Sequence, residues 1–139
     1  VKDVLFLTTP ALIEQHWPDV AQLVAPVVDQ AARGEFTLAD LQELVVGGHA
    51  FAGLMFEANE PRLAMVFEFR HYPRRTTLNV MALGGSELAS AAVSFWPQFV
   101  AWAKESGADA IEALTAPAMT RVLRNLGFQH TYDLVRFTC

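Results

Sequence analysis

The stretch from Thr76 to Thr115 constrains the fold most, because its periodicity changes twice within forty residues. Thr77-Leu78-Asn79-Val80-Met81-Ala82-Leu83 alternates apolar and β-branched residues and predicts a strand closed by a glycine pair. Gly84-Gly85-Ser86 is the expected turn. From Leu88 the spacing becomes helical, with Leu88, Ala92, Phe95, Phe99 and Trp102 on one face, and Gly107 is the expected stop. Ala110-Ile111-Glu112-Ala113-Leu114 predicts the next strand. A helix of this length between two strands is what a parallel crossover requires. A ligand site in such a unit belongs where the glycine turn meets the helix start.

Before that unit, Val4-Leu5-Phe6-Leu7 predicts a short strand, and Thr9 is placed to cap a helix with Pro10 at its first position. This helix is expected to break at Trp17-Pro18. Its spacing resumes from Asp19 to Ala32 through Val20, Leu23, Val24, Val27, Val28 and Ala31, with a kink at Pro26. After Gly34, Thr37-Leu38-Ala39-Asp40 has the pattern of a capping box and opens a shorter helix that stops at Gly47-Gly48.

From His49 the period is two. Ala50 to Phe56 and Arg62 to Arg70 predict strands joined by a turn at Asn59-Glu60-Pro61, and His71 to Arg75 leads into the Thr77 strand, which makes an antiparallel meander. Pro117 opens a last helix with Met119, Val122, Leu123 and Leu126 apolar and Gly127 closing it, and Thr131 to Phe137 predicts a final strand. The expected order is β-α-α-β-β-β-α-β-α-β, an α/β fold with a mixed, mostly antiparallel sheet and helices on both faces.

A chain of 139 residues, 53% hydrophobic, suits a single domain over residues 1–139. Charged residues are scarce at 18% and aromatics plentiful at 11%, so apolar surface is expected to meet a ligand, a partner or a second copy in a homo-oligomer. Trp17 and Trp96 are the candidates for such a surface. A net charge of −5 argues against general nucleic-acid binding. The lone Cys139 cannot pair within the chain and no zinc spacing occurs, which suits a reducing, cytoplasmic setting. No apolar run is long enough to span a membrane. His16, His49 and His130 are scattered without ligand spacing, so no metal site is expected.

The element order, with the tail Leu123-Arg124-Asn125-Leu126-Gly127-Phe128, resembles the GNAT superfamily of N-acetyltransferases. The early Trp17-Pro18, the bare Gly84-Gly85 turn and the short tail look most like members encoded by tailed phages, some of which are internal virion proteins. The resemblance implies an acyl-coenzyme A site framed by the Thr77 strand and the Leu88 helix. There the backbone of Met81, Ala82, Leu83, Gly84, Gly85 and Ser86 would align the pantetheine and pyrophosphate of acetyl-coenzyme A or another acyl-coenzyme A. Glycines permit close approach of backbone to phosphate, and Ser86 is placed to cap the helix. The loop lacks the family's basic residue, and Glu87 adds a carboxylate where a diphosphate would sit.

The family's tyrosine acid, four residues before the glycine of Leu-Gly-Phe, corresponds to Leu123, and its usual asparagine has no match in Thr115-Ala116-Pro117-Ala118. Glu68, His71 and Tyr72, at the end of the Arg62 strand, are the candidate catalytic residues, able to take a proton from an amine acceptor. They share that strand end with Arg70, Arg74 and Arg75, a basic patch with the composition of a solvated hairpin tip, while Arg121 and Arg124 share one helix face. Two readings follow: an acyl-coenzyme A-dependent N-acyltransferase with a degenerate coenzyme loop, or a non-catalytic structural or binding protein of the same fold, virion or accessory in a phage.

Overall fold

The period-two segments pair in chain order. The computed structural model describes residues 2–139, apart from the side chains of Lys2 and Ala31. Among the described residues, β1 (Lys2–Phe6), β2 (Phe51–Glu57), β3 (Glu60–Tyr72), β4 (Arg75–Gly85) and β5 (Ala110–Ala113) form one sheet in that order. The first three interfaces are antiparallel and β4 pairs with β5 in parallel. The sheet is therefore mixed and mostly antiparallel, with α3 (Leu88–Glu105) as the crossover.

Helices α1 (Pro10–Ala31) and α2 (Leu38–Val46) cover one face, where Trp17, Val20, Val24, Leu41 and Val45 pack on Ala52, Leu54, Ala64, Val66 and Ala82. Helices α3 and α4 (Pro117–Arg124) cover the other, where Phe95, Phe99 and Leu123 join Met55, Leu63, Met65, Phe67 and Leu78. Both faces of β3 are thus buried over Leu63–Phe67, which gives a nearly continuous apolar run. The α1 face is lined by alanines, so that helix lies close to the sheet. A Cβ on Gly84 would stand 2.2 Å from the backbone oxygen of Leu23 in α1.

Helix α1 does not break at Trp17-Pro18: it runs unbroken through Pro18 and Pro26. Each interior proline costs about 3 kcal/mol. The buried stripe of Trp17, Val20, Val24 and Val28 returns roughly 1.5–3 kcal/mol per fully buried side chain, enough to keep the helix whole. Trp17, expected at the surface, is accordingly core at 7% exposure. The capping box of α2 forms as the sequence predicts, with Asp40 N–H donating to Thr37 Oγ1 at 3.2 Å and Thr37 N–H donating to Asp40 Oδ2 at 2.9 Å.

Four other expectations change. The β2–β3 turn is Ala58-Asn59, both at positive φ (52° and 64°), so β3 already begins at Glu60. Strand β4 continues through Gly84 and Gly85, and Ser86 does not cap α3. Its N–H donates to the Arg62 carbonyl instead, and Glu87 takes the N-cap position at φ 49° with no side-chain cap among the described residues. Thr131–Phe137 is not a strand. Its apolar residues Tyr132, Leu134, Val135 and Phe137 slip out of alternation at Leu134-Val135, so no single face could be buried, and Val135 and Phe137 stand 88% and 89% exposed. Gly127, at φ 101°, turns the chain so that Phe128 packs against Trp96 with ring centroids 5.1 Å apart. Trp96 is thereby half-buried rather than a free contact surface.

Candidate functional site

The parallel pair of strands is clamped at one end and open at the other. At the closed end Asp109 N–H donates to the Thr76 carbonyl at 2.8 Å, and Thr76 N–H donates to Asp109 Oδ2 at 2.9 Å. Pairing then runs from Thr77↔Ala110 to Val80↔Ala113 and goes no further among the described residues, while β4 continues for five more residues along β3. At the same point the β3–β4 register jumps from Phe67↔Val80 to Val66↔Ala82, so Met81 is the extra residue of a β-bulge. A bulge bends its strand and raises its twist. Here it turns β4 away from β5 and leaves the β4 edge from Met81 onward facing a gap.

That gap is a cleft of about 390 Å³. Its walls are Val80–Leu83 of β4, Ala113–Ala116 at and beyond the end of β5, Met119 and Leu123 of α4, and Val27, Val28 and Ala32 from the end of α1. Glu35, Phe36, Glu68, Arg70 and Asn79 also line it, so a mostly apolar cleft carries a few polar groups.

The cluster is built by strand register. Glu68 of β3, Asn79 of β4 and Glu112 of β5 lie side by side in one row. Asn79, 6% exposed, donates from Nδ2 to Glu68 Oε2 at 2.9 Å, which fixes the carboxylate's direction. Arg70 lies on the same face two residues along, with Nε 3.8 Å from Glu68 Oε2 and Nη1 3.9 Å from Glu112 Oε2. Tyr72 completes the row by donating its hydroxyl to Glu112 Oε2 at 2.9 Å. That hydrogen bond to a carboxylate raises the phenol above its ordinary value of 10, partly opposed by Arg70.

The three candidate catalytic residues do not form one cluster. Glu68 lines the cleft, and Tyr72 shares its face but is engaged by Glu112. His71 points to the opposite face, stacked on Phe69 beside Trp102 and bonded to Thr76 Oγ1 at 3.2 Å. Because β3 stays extended to Tyr72, alternation separates His71 from its neighbours.

Of the coenzyme-binding candidates, Met81, Ala82 and Leu83 line the cleft, whereas Gly84, Gly85 and Ser86 lie beyond it. A Cβ at Gly85 would meet the Arg62 carbonyl oxygen at 2.2 Å, so both glycines serve close packing of protein backbone. The bulged edge and apolar walls lie where the resemblance to the GNAT superfamily leads one to expect a pantetheine arm. At the α3 end Glu87 stands at the N-cap position, and Arg62 of β3 adjoins the turn through its carbonyl, which accepts from Ser86 N–H. Sequence reasoning missed Asn79 and Glu35. The one signal for Asn79 is a single amide inside an otherwise apolar strand.

No protein-family model and no curated protein matches the chain. Solved structures do. AAC(6')-Iy, an aminoglycoside N-acetyltransferase solved in complex with CoA, superposes with a TM-score of 0.71 at 16% identity, covering 100% of this chain and 95% of that one. The fold is that of the GNAT N-acetyltransferases. Another GNAT-fold match is a predicted acetyltransferase with acetyl-CoA from Clostridium acetobutylicum, with a TM-score of 0.69, 11% identity, and 99% and 96% of the two chains covered. A third is an aminoglycoside acetyltransferase from an uncultured soil metagenomic sample, in complex with sisomicin, with a TM-score of 0.68, 11% identity, and 99% and 95% covered. Within this GNAT frame, no helix of the described residues is long and apolar enough to cross a membrane.

Proposed function

We propose that the chain is an acyl-coenzyme A-dependent N-acyltransferase whose acceptor binds at the Glu68–Asn79–Arg70 cluster of the cleft. The observation that carries this reading is the parting of β4 and β5 beyond Val80 and Ala113, which sets a bare strand edge and a polar cluster in one mostly apolar cleft. Neighbours of the same fold that hold CoA, acetyl-CoA or sisomicin support it. Met81, Ala82 and Leu83 would hold the coenzyme's arm, and the coenzyme supplies an acyl group activated as a thioester.

The protein's own contribution is placement and proton handling. Glu68, held by Asn79, accepts the proton that the acceptor nitrogen loses as its new bond to carbon forms. Glu68 and Glu112 together outweigh the single Arg70 guanidinium between them, so the cluster can receive a cationic amine, whose proton Glu68 is placed to take to free the attacking lone pair. Leu123, 5% exposed, packs in the core and gives no proton to the departing sulfur, so rate acceleration leans on alignment of the two reactants.

Titration with acetyl-coenzyme A, followed by thermal unfolding, tests the reading. At a hundredfold excess over the dissociation constant, binding stabilises the fold by ~2.7 kcal/mol. Glu68→Gln should leave this stabilisation in place and lower kcat for amine acetylation by about a hundredfold. No stabilisation at millimolar coenzyme sinks the enzyme reading and leaves the non-catalytic alternative.

A further inference from the structure

Two carboxylates face the cleft, and only one is held by the sheet. Glu68 is fixed by Asn79 and partly neutralised by Arg70, which also serves Glu112. Glu35, on the connection after α1, lines the same cleft beside Phe36. Its Oε2 is held by the guanidinium of Arg136, 101 positions later in the C-terminal segment. That segment has neither helix nor strand, and the flanking Val135 and Phe137 are almost fully exposed. The Glu35–Arg136 pair is itself partly exposed, a setting in which ion pairs are weak and exchangeable.

We infer that Glu35 is the second recognition point of the acceptor, and that Arg136 stands in for a cationic group of that acceptor. The inference rests on the acyl-transfer reading above. The acceptor is then a molecule with two nitrogen centres: an amine that gives its proton to Glu68, and an ammonium or guanidinium that takes the place of Arg136 on Glu35.

The two carboxylates have different partners. At Glu68 the carboxylate is held in place by Asn79 and stands ready to take a proton, which is what a nucleophilic amine needs. At Glu35 the paired cation is Arg136, so a permanent charge arriving there replaces like with like and releases Arg136 to water. Val28, Ala32, Phe36 and Val80 add apolar wall to the same cleft, which suits a methylene linkage between the two nitrogen centres.

Calorimetric titration of the full chain with agmatine and with butylamine, without coenzyme, tests this. Agmatine should bind about tenfold more tightly, since it adds one charge-assisted contact. Glu35→Gln should bring the ratio near one, and Arg136→Ala should tighten agmatine binding several-fold by removing the internal competitor. Thermal unfolding of each variant separates these effects from loss of fold. Equal binding of the two amines, a preference that survives Glu35→Gln, or an Arg136→Ala protein no tighter for agmatine overturns the inference. Because neither titration contains coenzyme, this idea can fail while acetyl-coenzyme A binding stands, and the reverse.

Discussion

A phenol that donates to a carboxylate gives up its proton late, and Tyr72 is in that position against Glu112. Its pKa in the fold lies above the unfolded value of 10, so its contribution to stability is complete below pH 10 and is lost as pH rises through the folded value. Ultraviolet titration, with Tyr72→Phe to assign the signal, should show Tyr72 ionising above the ordinary phenol value of 10. Glu112→Gln should move Tyr72 back toward 10. An unchanged midpoint in that variant would mean that something other than the carboxylate holds the proton. The same raised value makes Tyr72 a poor proton acceptor near neutrality, so on the acyl-transfer reading proposed above Glu68 is the candidate base that remains.

Among the elements, β4 shows both what was legible and what was hidden. Its alternation, the crossover helix after it and the parallel partner beyond were readable, because each depends on local periodicity and on glycine stops. The bulge at Met81 was not, because a register jump is a property of two strands and leaves no mark in either alone. Gly84 and Gly85 were visible as special positions, but their partners were not: the crowding comes from Leu23 and Arg62, far away in sequence. Gly84→Ala should therefore destabilise the fold by about 1–3 kcal/mol or more, read as a lower urea midpoint, with or without ligand present. A Gly84→Ala protein of full stability that has lost only coenzyme binding would return this glycine to the ligand. In the same way α1 was readable as an apolar stripe, yet its survival through two prolines depends on the sheet beneath it.

At the scale of the whole molecule, the sheet and its helices end at Arg124, and the last residues follow without a ladder of their own. Tyr132, Leu134, Val135 and Phe137 are all exposed, so brief chymotrypsin treatment should cut there first and leave a product ending near Tyr132. Cutting first within α1 or β3 would show that the ordered body is less firm than its burial implies. The bulge at Met81 has a wider consequence. An opening made by main-chain geometry does not depend on which side chains surround it. Exchanging Phe36, Thr115 or Met119 should therefore change the shape of the cleft while the parting of β4 from β5 persists.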